Sequence, residues 1–156
     1  MIGTGPMGWS VFRNRHPDAI GTPSADRELV YNNVIADLRE VNLQVNQAIQ
    51  PRPDPRGLGD TWDISPAEGD CNDYAVTKRL ELMQRGYPAS CLLLAEVVEP
   101  APSTEHHLVL VVPTERGRFV LDNLRSNIVK LERTGYTPYR IQCANDFDSW
   151  DFTVSV

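Results

Sequence analysis

Long apolar runs are missing from this chain of 156 residues. No stretch approaches the roughly 18 consecutive apolar residues of a membrane span, so no transmembrane segment is expected. Positive charge is also scarce. With 15 Lys and Arg against 21 Asp and Glu, the net charge is −6, and without a clustered positive field nucleic acid is excluded as the main partner. Cysteines number only 3, too few for a disulfide scaffold, which a chain of this length does not need in order to hold a core. Neither C-x-x-C nor H-x-x-x-H occurs, and the adjacent His106 and His107 would point apart on a strand, so zinc finds no ligand pattern. The basic start and apolar run of a signal peptide are absent too, which fits either a cytosolic protein or one whose signal has been removed. What is present is ordinary for a globular chain, with 41% hydrophobic and 23% charged residues, enough for one domain. The odd cysteine count leaves two readings: three reduced thiols, or one pair and one thiol kept free for chemistry.

Residues 1–23 are rich in Gly and Pro without a sustained period and read as an irregular N-terminal arm. Gly3-Thr4-Gly5-Pro6-Met7-Gly8 satisfies G-x-G-x-x-G in letters only, because no strand can precede it. A single domain is expected over residues 24–156. It opens on one long helix over 24–50, with Val30, Val34, Leu38, Val41, Val45 and Ile49 at spacings of three and four, Thr22 or Ser24 as cap, and Pro51 as stop. Residues 51–70 form a Pro- and acid-rich connection whose Trp62 and Ile64 suggest that it packs down. A second helix starts after Asp70, its N-cap, and ends at Gly86 with Pro88 just beyond. Ala75, Val76, Leu80 and Met83 are its expected inner face. Period-two and β-branched runs follow at 91–99, 107–112, 118–124, 139–143 and 150–154. Helices first and strands after is the α+β pattern.

Cys71 falls in the first turn of the second helix, where unpaired N–H groups and the positive dipole end favour a thiolate. Position alone admits two roles, a nucleophile or a small apolar filler. The segments 107–112 and 117–124 read as a hairpin with a four-residue loop. Pairing Val112 with Gly117 sets His107 opposite Asp122, so that the carboxylate takes the imidazole Nδ1–H and leaves Nε2 to face a thiol. That completes nucleophile, base and orienting acid; the same two residues also suit an ordinary polar pair at a strand end. His106 points to the other face and reads as a rim residue. Glu68, Asp70 and Asp73 around the thiol suit helix capping or an oxygen-rich calcium position.

These residues resemble a known family. Gly69-Asp70-Cys71-Asn72-Asp73-Tyr74-Ala75, Arg85-Gly86-Tyr87-Pro88, His107-Leu108-Val109-Leu110 and Val120-Leu121-Asp122-Asn123-Leu124 occur in this order, after Leu38-Arg39-Glu40-Val41-Asn42 on the long helix. Together they are similar to the bacterial transglutaminase-like cysteine peptidases over roughly residues 24–145. The resemblance implies a papain-like or transglutaminase-like α+β core, with the long and nucleophile helices packed on an antiparallel sheet. It implies Cys71 as nucleophile, His107 as general base and Asp122 as its orienting acid. Adhesin-clipping members of the family are calcium-dependent periplasmic proteases, which implies a protein or peptide substrate, such as a surface adhesin or other periplasmic protein, and a periplasmic location. Their calcium ligands flank the cysteine. Asp70 matches one, whereas Asn72 stands where they have Glu, so calcium is expected to bind weakly or not at all. A periplasmic location would also allow Cys91 and Cys143 to pair.

The proposed chemistry is acyl transfer through a thioester, with the Cys71 N–H and a donor from the preceding loop, Trp62 as a guess, holding the oxyanion. Two alternatives remain open in the sequence. The same triad can pass its acyl group to an amine, as transglutaminases do, or the scaffold can serve as a non-catalytic calcium- or protein-binding module.

Overall fold

The computed structural model describes residues 1–52 and 61–152. Its strands are β1 (Ile2–Thr4), β2 (Gln50–Pro51), β3 (Glu68–Gly69), β4 (Leu93–Val98), β5 (His106–Thr114), β6 (Gly117–Leu121), β7 (Val129–Lys130), β8 (Thr137–Cys143) and β9 (Asp146–Asp151). The helices are α1 (Met7–Arg15), α2 (Tyr31–Ala48) and α3 (Cys71–Gln84). Seven strands form one sheet in the order β1-β9-β8-β4-β5-β6-β7, every pair antiparallel. The expected α+β class and its antiparallel sheet are what the chain adopts. The main core, including Val34, Leu38 and Val41 of α2, Leu82 of α3 and Leu108, Leu110 and Val112 of β5, is fully buried. A second cluster on other residues of the same strands is closed by Leu131 and Tyr136. No helix among the described residues is long and apolar enough to cross a membrane.

The N-terminal arm is not irregular. β1 adds a strand to the sheet edge beside β9, and α1 buries Trp9 and Phe12, with Trp9 edge-on to Trp150 at 6.4 Å. Gly5 is required by this closeness, because a Cβ there would lie 2.4 Å from Trp150 Nε1. Only two large apolar residues of a nine-residue helix reach the core, too few to register as a period.

The long helix is shorter than its apolar spacing implied, 18 residues from Tyr31 to Ala48. Thr22 and Ser24 do not cap it. Its first N–H is served from elsewhere in the fold, the Glu115 carboxylate accepting from Tyr31 N at 2.7 and 3.0 Å. Residues before it run extended, with Leu29 bridged to Thr114.

The second helix begins as expected. Asp70 caps α3 by accepting from Asn72 N, Asp73 completes a capping box, and Gly86 follows the end at φ +99, a left-handed position that suits glycine. The inner face differs from the one read in the sequence, because nine residues of α3 are buried, among them Thr77, Lys78 and Arg79. Leu80 and Met83 are only partly buried. A helix enclosed on several sides has no single apolar stripe.

Cys91 sits in a 3-10 turn, Ala89–Cys91, rather than on a strand. All three cysteines are free thiols, so the Cys91–Cys143 pair that a periplasmic location would allow is not made.

Candidate active site

The nucleophile candidate is placed by a staple between loop and helix. Asp73 Oδ1 accepts from Asp63 N at 2.7 Å, and its Oδ2 accepts from Asp70 N at 3.0 Å. Ser65 N donates to Thr77 Oγ1 at 2.9 Å. Residues 63–70 are thereby tied down along α3. β2 pairs in parallel with β3 on the other side. Gly69 has no room for a side chain, since a Cβ would meet Asp73 Oδ2 at 2.3 Å. Burial raises the Asp73 carboxyl above its ordinary range, although two backbone N–H groups pull the other way. Cys71 is then the first residue of α3, partly buried, and in a position whose N–H has no intrahelical acceptor.

His107 and Asp122 meet, but not by the expected register. β5 and β6 pair Leu110 with Leu121 and Thr114 with Gly117, a shift of two that preserves the face of each residue. Extending this ladder sets Asp122 opposite Val109 and diagonal to His107, a longer gap than direct opposition. The far ring nitrogen spans it. His107 Nε2, not Nδ1, lies 2.8 Å from Asp122 Oδ1, and the ring is electrostatically coupled to the Cys71 thiol. With Nε2 held by the carboxylate, Nδ1 is left for the sulfur. Burial disfavours the imidazolium, but the influence of Asp122 and Cys71 outweighs it and pushes His107 up to about 10.

Asp122 is 1% exposed and held by donors on several sides. Oδ1 also accepts from Leu124 N at 3.0 Å, Oδ2 accepts from Tyr136 Oη at 2.6 Å, and Arg125 Nε stands 3.7 Å away. Burial opposes the carboxylate, yet His107, Tyr136 and Leu124 bring its pKa below the ordinary range. Burial and this same carboxylate raise the Tyr136 phenol far above its ordinary value. Beneath the site, Asn42 Oδ1 accepts from Asp122 N at 3.2 Å and from Lys78 Nζ at 2.8 Å. Asn46 Nδ2 donates to Asp122 O at 3.1 Å. Tyr136, Asn42, Asn46 and Lys78 were not singled out by sequence reasoning. Tyr136 arrives from a distant loop, and the other three are polar residues on helices whose outer faces are expected to be polar.

His106 lies away from this line, as a rim residue should. Its Nδ1 contacts the Glu96 carboxylate, which also accepts from Arg140 Nε at 2.6 Å. Trp62 is fully buried in the core, 6.4 Å from Phe12, and its indole N–H has no hydrogen-bond partner among the described residues.

Calcium does not fit the flanking residues. Asp70 spends its carboxylate on the helix cap, and Asn72 is 1% exposed with Oδ1 turned to the Cys71 sulfur at 3.7 Å. Six to eight oxygens would be needed. Among the described residues no three His, Cys, Asp or Glu side chains come together as a metal site.

A thiol at a helix start, beside an imidazole that a buried carboxylate holds, is the arrangement of papain- and transglutaminase-like proteins. The model of the bacterial transglutaminase-like cysteine proteinases (BTLCP) matches residues 2–154, so the chain belongs to that family of cysteine peptidases. Among solved structures it is similar to Legionella pneumophila LapG, at 28% identity over 69% of this chain with a TM-score of 0.59. An EGTA-treated LapG structure matches at the same identity and score. Calcium-bound LapG matches over 97% of this chain at 21% identity and a TM-score of 0.66, which shows the shared fold. In the first two comparisons the chain spans 64% and 62% of LapG's length, and in the third 83%. No protein of curated function matches.

Proposed function

We propose that this chain is a cysteine endopeptidase that cleaves a protein through a thioester on Cys71. The observation that carries the proposal is the Cys71 thiol at the start of α3, coupled to the His107 ring, whose Nε2 is held 2.8 Å from Asp122. Family membership supports the same reading.

The geometry supports the following steps. Cys71 passes its proton to His107 Nδ1, and Asp122 on Nε2 stabilises the imidazolium. The thiolate attacks a peptide carbonyl carbon, forming a C–S bond and an oxyanion. The Cys71 N–H suits that oxyanion, because Asp70 already takes the N–H groups of Asn72 and Asp73. His107 then protonates the amine as the C–N bond breaks, leaving a thioester. Water attacks the thioester with His107 as base, and Cys71 leaves as thiolate.

No cation enters these steps. A chelator is therefore expected to leave activity unchanged, whatever the calcium-bound and EGTA-treated forms of LapG mean for that protein. The resemblance to adhesin-clipping members supports a bacterial periplasmic setting and a secreted or surface protein as substrate.

The test is cleavage of an unfolded model protein by wild type, Cys71→Ala, His107→Ala and Asp122→Ala, with and without chelator. Product termini are read by mass spectrometry. New peptide termini should appear with wild type and vanish with Cys71→Ala. Release of ammonia with a labelled amine acceptor, without new termini, would instead indicate amine transfer. Equal cleavage by Cys71→Ala would refute the proposal.

A further inference from the structure

Asn72 is 1% exposed and stands beside the reacting sulfur in an arrangement that serves only one protonation state. Its backbone N–H is taken by Asp70 Oδ1 at 3.1 Å. Its side-chain Oδ1 is 3.7 Å from Cys71 Sγ. Its Nδ2, carrying two donors, is buried without a partner. Buried donors in native proteins are almost always paired, so an orphan amide against a nucleophile calls for an explanation.

The charge on the sulfur supplies one. A carbonyl oxygen facing Sγ is favourable while the thiol holds its proton, a weak S–H donor to Oδ1. Once the proton has moved to His107, the same oxygen faces an anion and repels it. The terminal amide torsion is soft and close to two-fold, and a half-turn exchanges two groups of nearly equal size. That turn brings Nδ2 to the place Oδ1 held and pairs the orphan donor with the charge, as a hydrogen bond strengthened by ionisation. The carbonyl moves to the vacated position, and an under-satisfied carbonyl is tolerated better than an orphan N–H.

We infer that Asn72 is a further catalytic residue, whose amide turns to donate to the Cys71 thiolate when the Cys71–His107 ion pair forms. The inference rests on the proposed nucleophilic role of Cys71. It also gives the amide at this position a task other than holding a cation, since the turned carbonyl points away from the thiol.

The test reads the thiolate itself rather than peptide cleavage. Cys71 alkylation by iodoacetamide is followed by peptide mass spectrometry in wild type, Asn72→Ala and Asn72→Asp. Its rate at about pH 6 is divided by its rate at about pH 9, so that changes in access cancel. The ratio should fall roughly tenfold in Asn72→Ala, and further in Asn72→Asp, where an acceptor replaces the donor. Ratios within about twofold of wild type in both variants would overturn the inference, as a purely structural amide predicts. Should either variant fail to fold, the side-chain amide protons of Asn72 in wild type provide the second readout by NMR. They should shift with the same midpoint as the thiolate ultraviolet absorbance, and amide signals that stay flat through that midpoint would overturn the inference. A wild-type Cys71 no more reactive at mildly acid pH than Cys91 and Cys143 would overturn the peptidase reading and this inference together. A reactive wild type with unaffected variants would overturn this inference alone.

Discussion

Lys78 is the most exacting point at which to test the electrostatics of the site. Its ammonium is 0% exposed, donates to Asn42 Oδ1 at 2.8 Å and lies 5.7 Å from the centre of the Tyr74 ring. Burial pulls its pKa from 10.5 down to about 7, against the attraction of Asp122. Below about pH 7 the lysine is charged in both folded and unfolded chains, and the folded chain bears the full burial cost. At 1.4 kcal/mol per tenfold, the interval from 7 to 10.5 corresponds to roughly 5 kcal/mol. Between those values the unfolded chain binds the extra proton, so this group makes the protein more stable as pH rises. Lys78→Met removes the effect and keeps most of the volume. Asn42 Oδ1 stays paired, because it also accepts from Asp122 N. Relative to wild type, the Met variant should therefore be most stabilised near about pH 6, and that advantage should shrink by roughly 4 kcal/mol by about pH 10. Urea unfolding of both proteins at stepped pH measures it, and the difference cancels the titrating groups that do not interact with Lys78. A difference that stays constant with pH would refute the reasoning.

Further expectations concern neighbouring groups. Tyr136→Phe keeps the ring against His107, 5.5 Å between centroids, but removes the donor to Asp122. Stability should fall by about 1.5–3 kcal/mol in thermal or urea melts, with kcat falling more than KM rises. His107 is raised from 6.5 to about 10, so its contribution is whole below about 6.5 and lost as pH rises through about 10; His107→Gln should flatten that alkaline loss in the stability profile. Asp122 is lowered from 3.8; its contribution is present above that value and lost as pH falls below it, so Asp122→Asn should blunt acid unfolding. Gly69→Ala forces a Cβ to within 2.3 Å of Asp73 Oδ2. It should cost about 1–3 kcal/mol by breaking the capping box, with slower Cys71 alkylation as the local readout.

Much of the site can be read from residue types and spacing. Cys71 follows a capping acid, and the strand pattern brings His107 and Asp122 to one hairpin. Parity survived the register error because the slip was by two, so the pair was preserved while the nitrogen facing Asp122 changed. The residues that hold the site are less visible. Lys78 and Asn42 look like solvent-facing positions until α2 and α3 close on each other, and enclosure is a property of the packing rather than of either helix. Tyr136 reaches Asp122 from the loop before β8, and no periodic signal links them. The arm looks irregular in sequence for a related reason: Trp9 and Phe12 gain their burial from the sheet edge and its Trp150, far along the chain. Apolar spacing alone overextends helix α2, because its start depends on Glu115, a cap supplied by a hairpin turn.

The central claim is that peptide cleavage passes through a covalent bond to Cys71, and trapping that bond tests it most directly. Wild type mixed with an unfolded protein substrate is quenched in acid during turnover, then mapped by mass spectrometry. The account predicts a hydroxylamine-labile acyl group on Cys71, matching the N-terminal side of each cut, and none in Cys71→Ser. Continued cutting by Cys71→Ser, or an adduct on Cys91 or Cys143 instead, would contradict it.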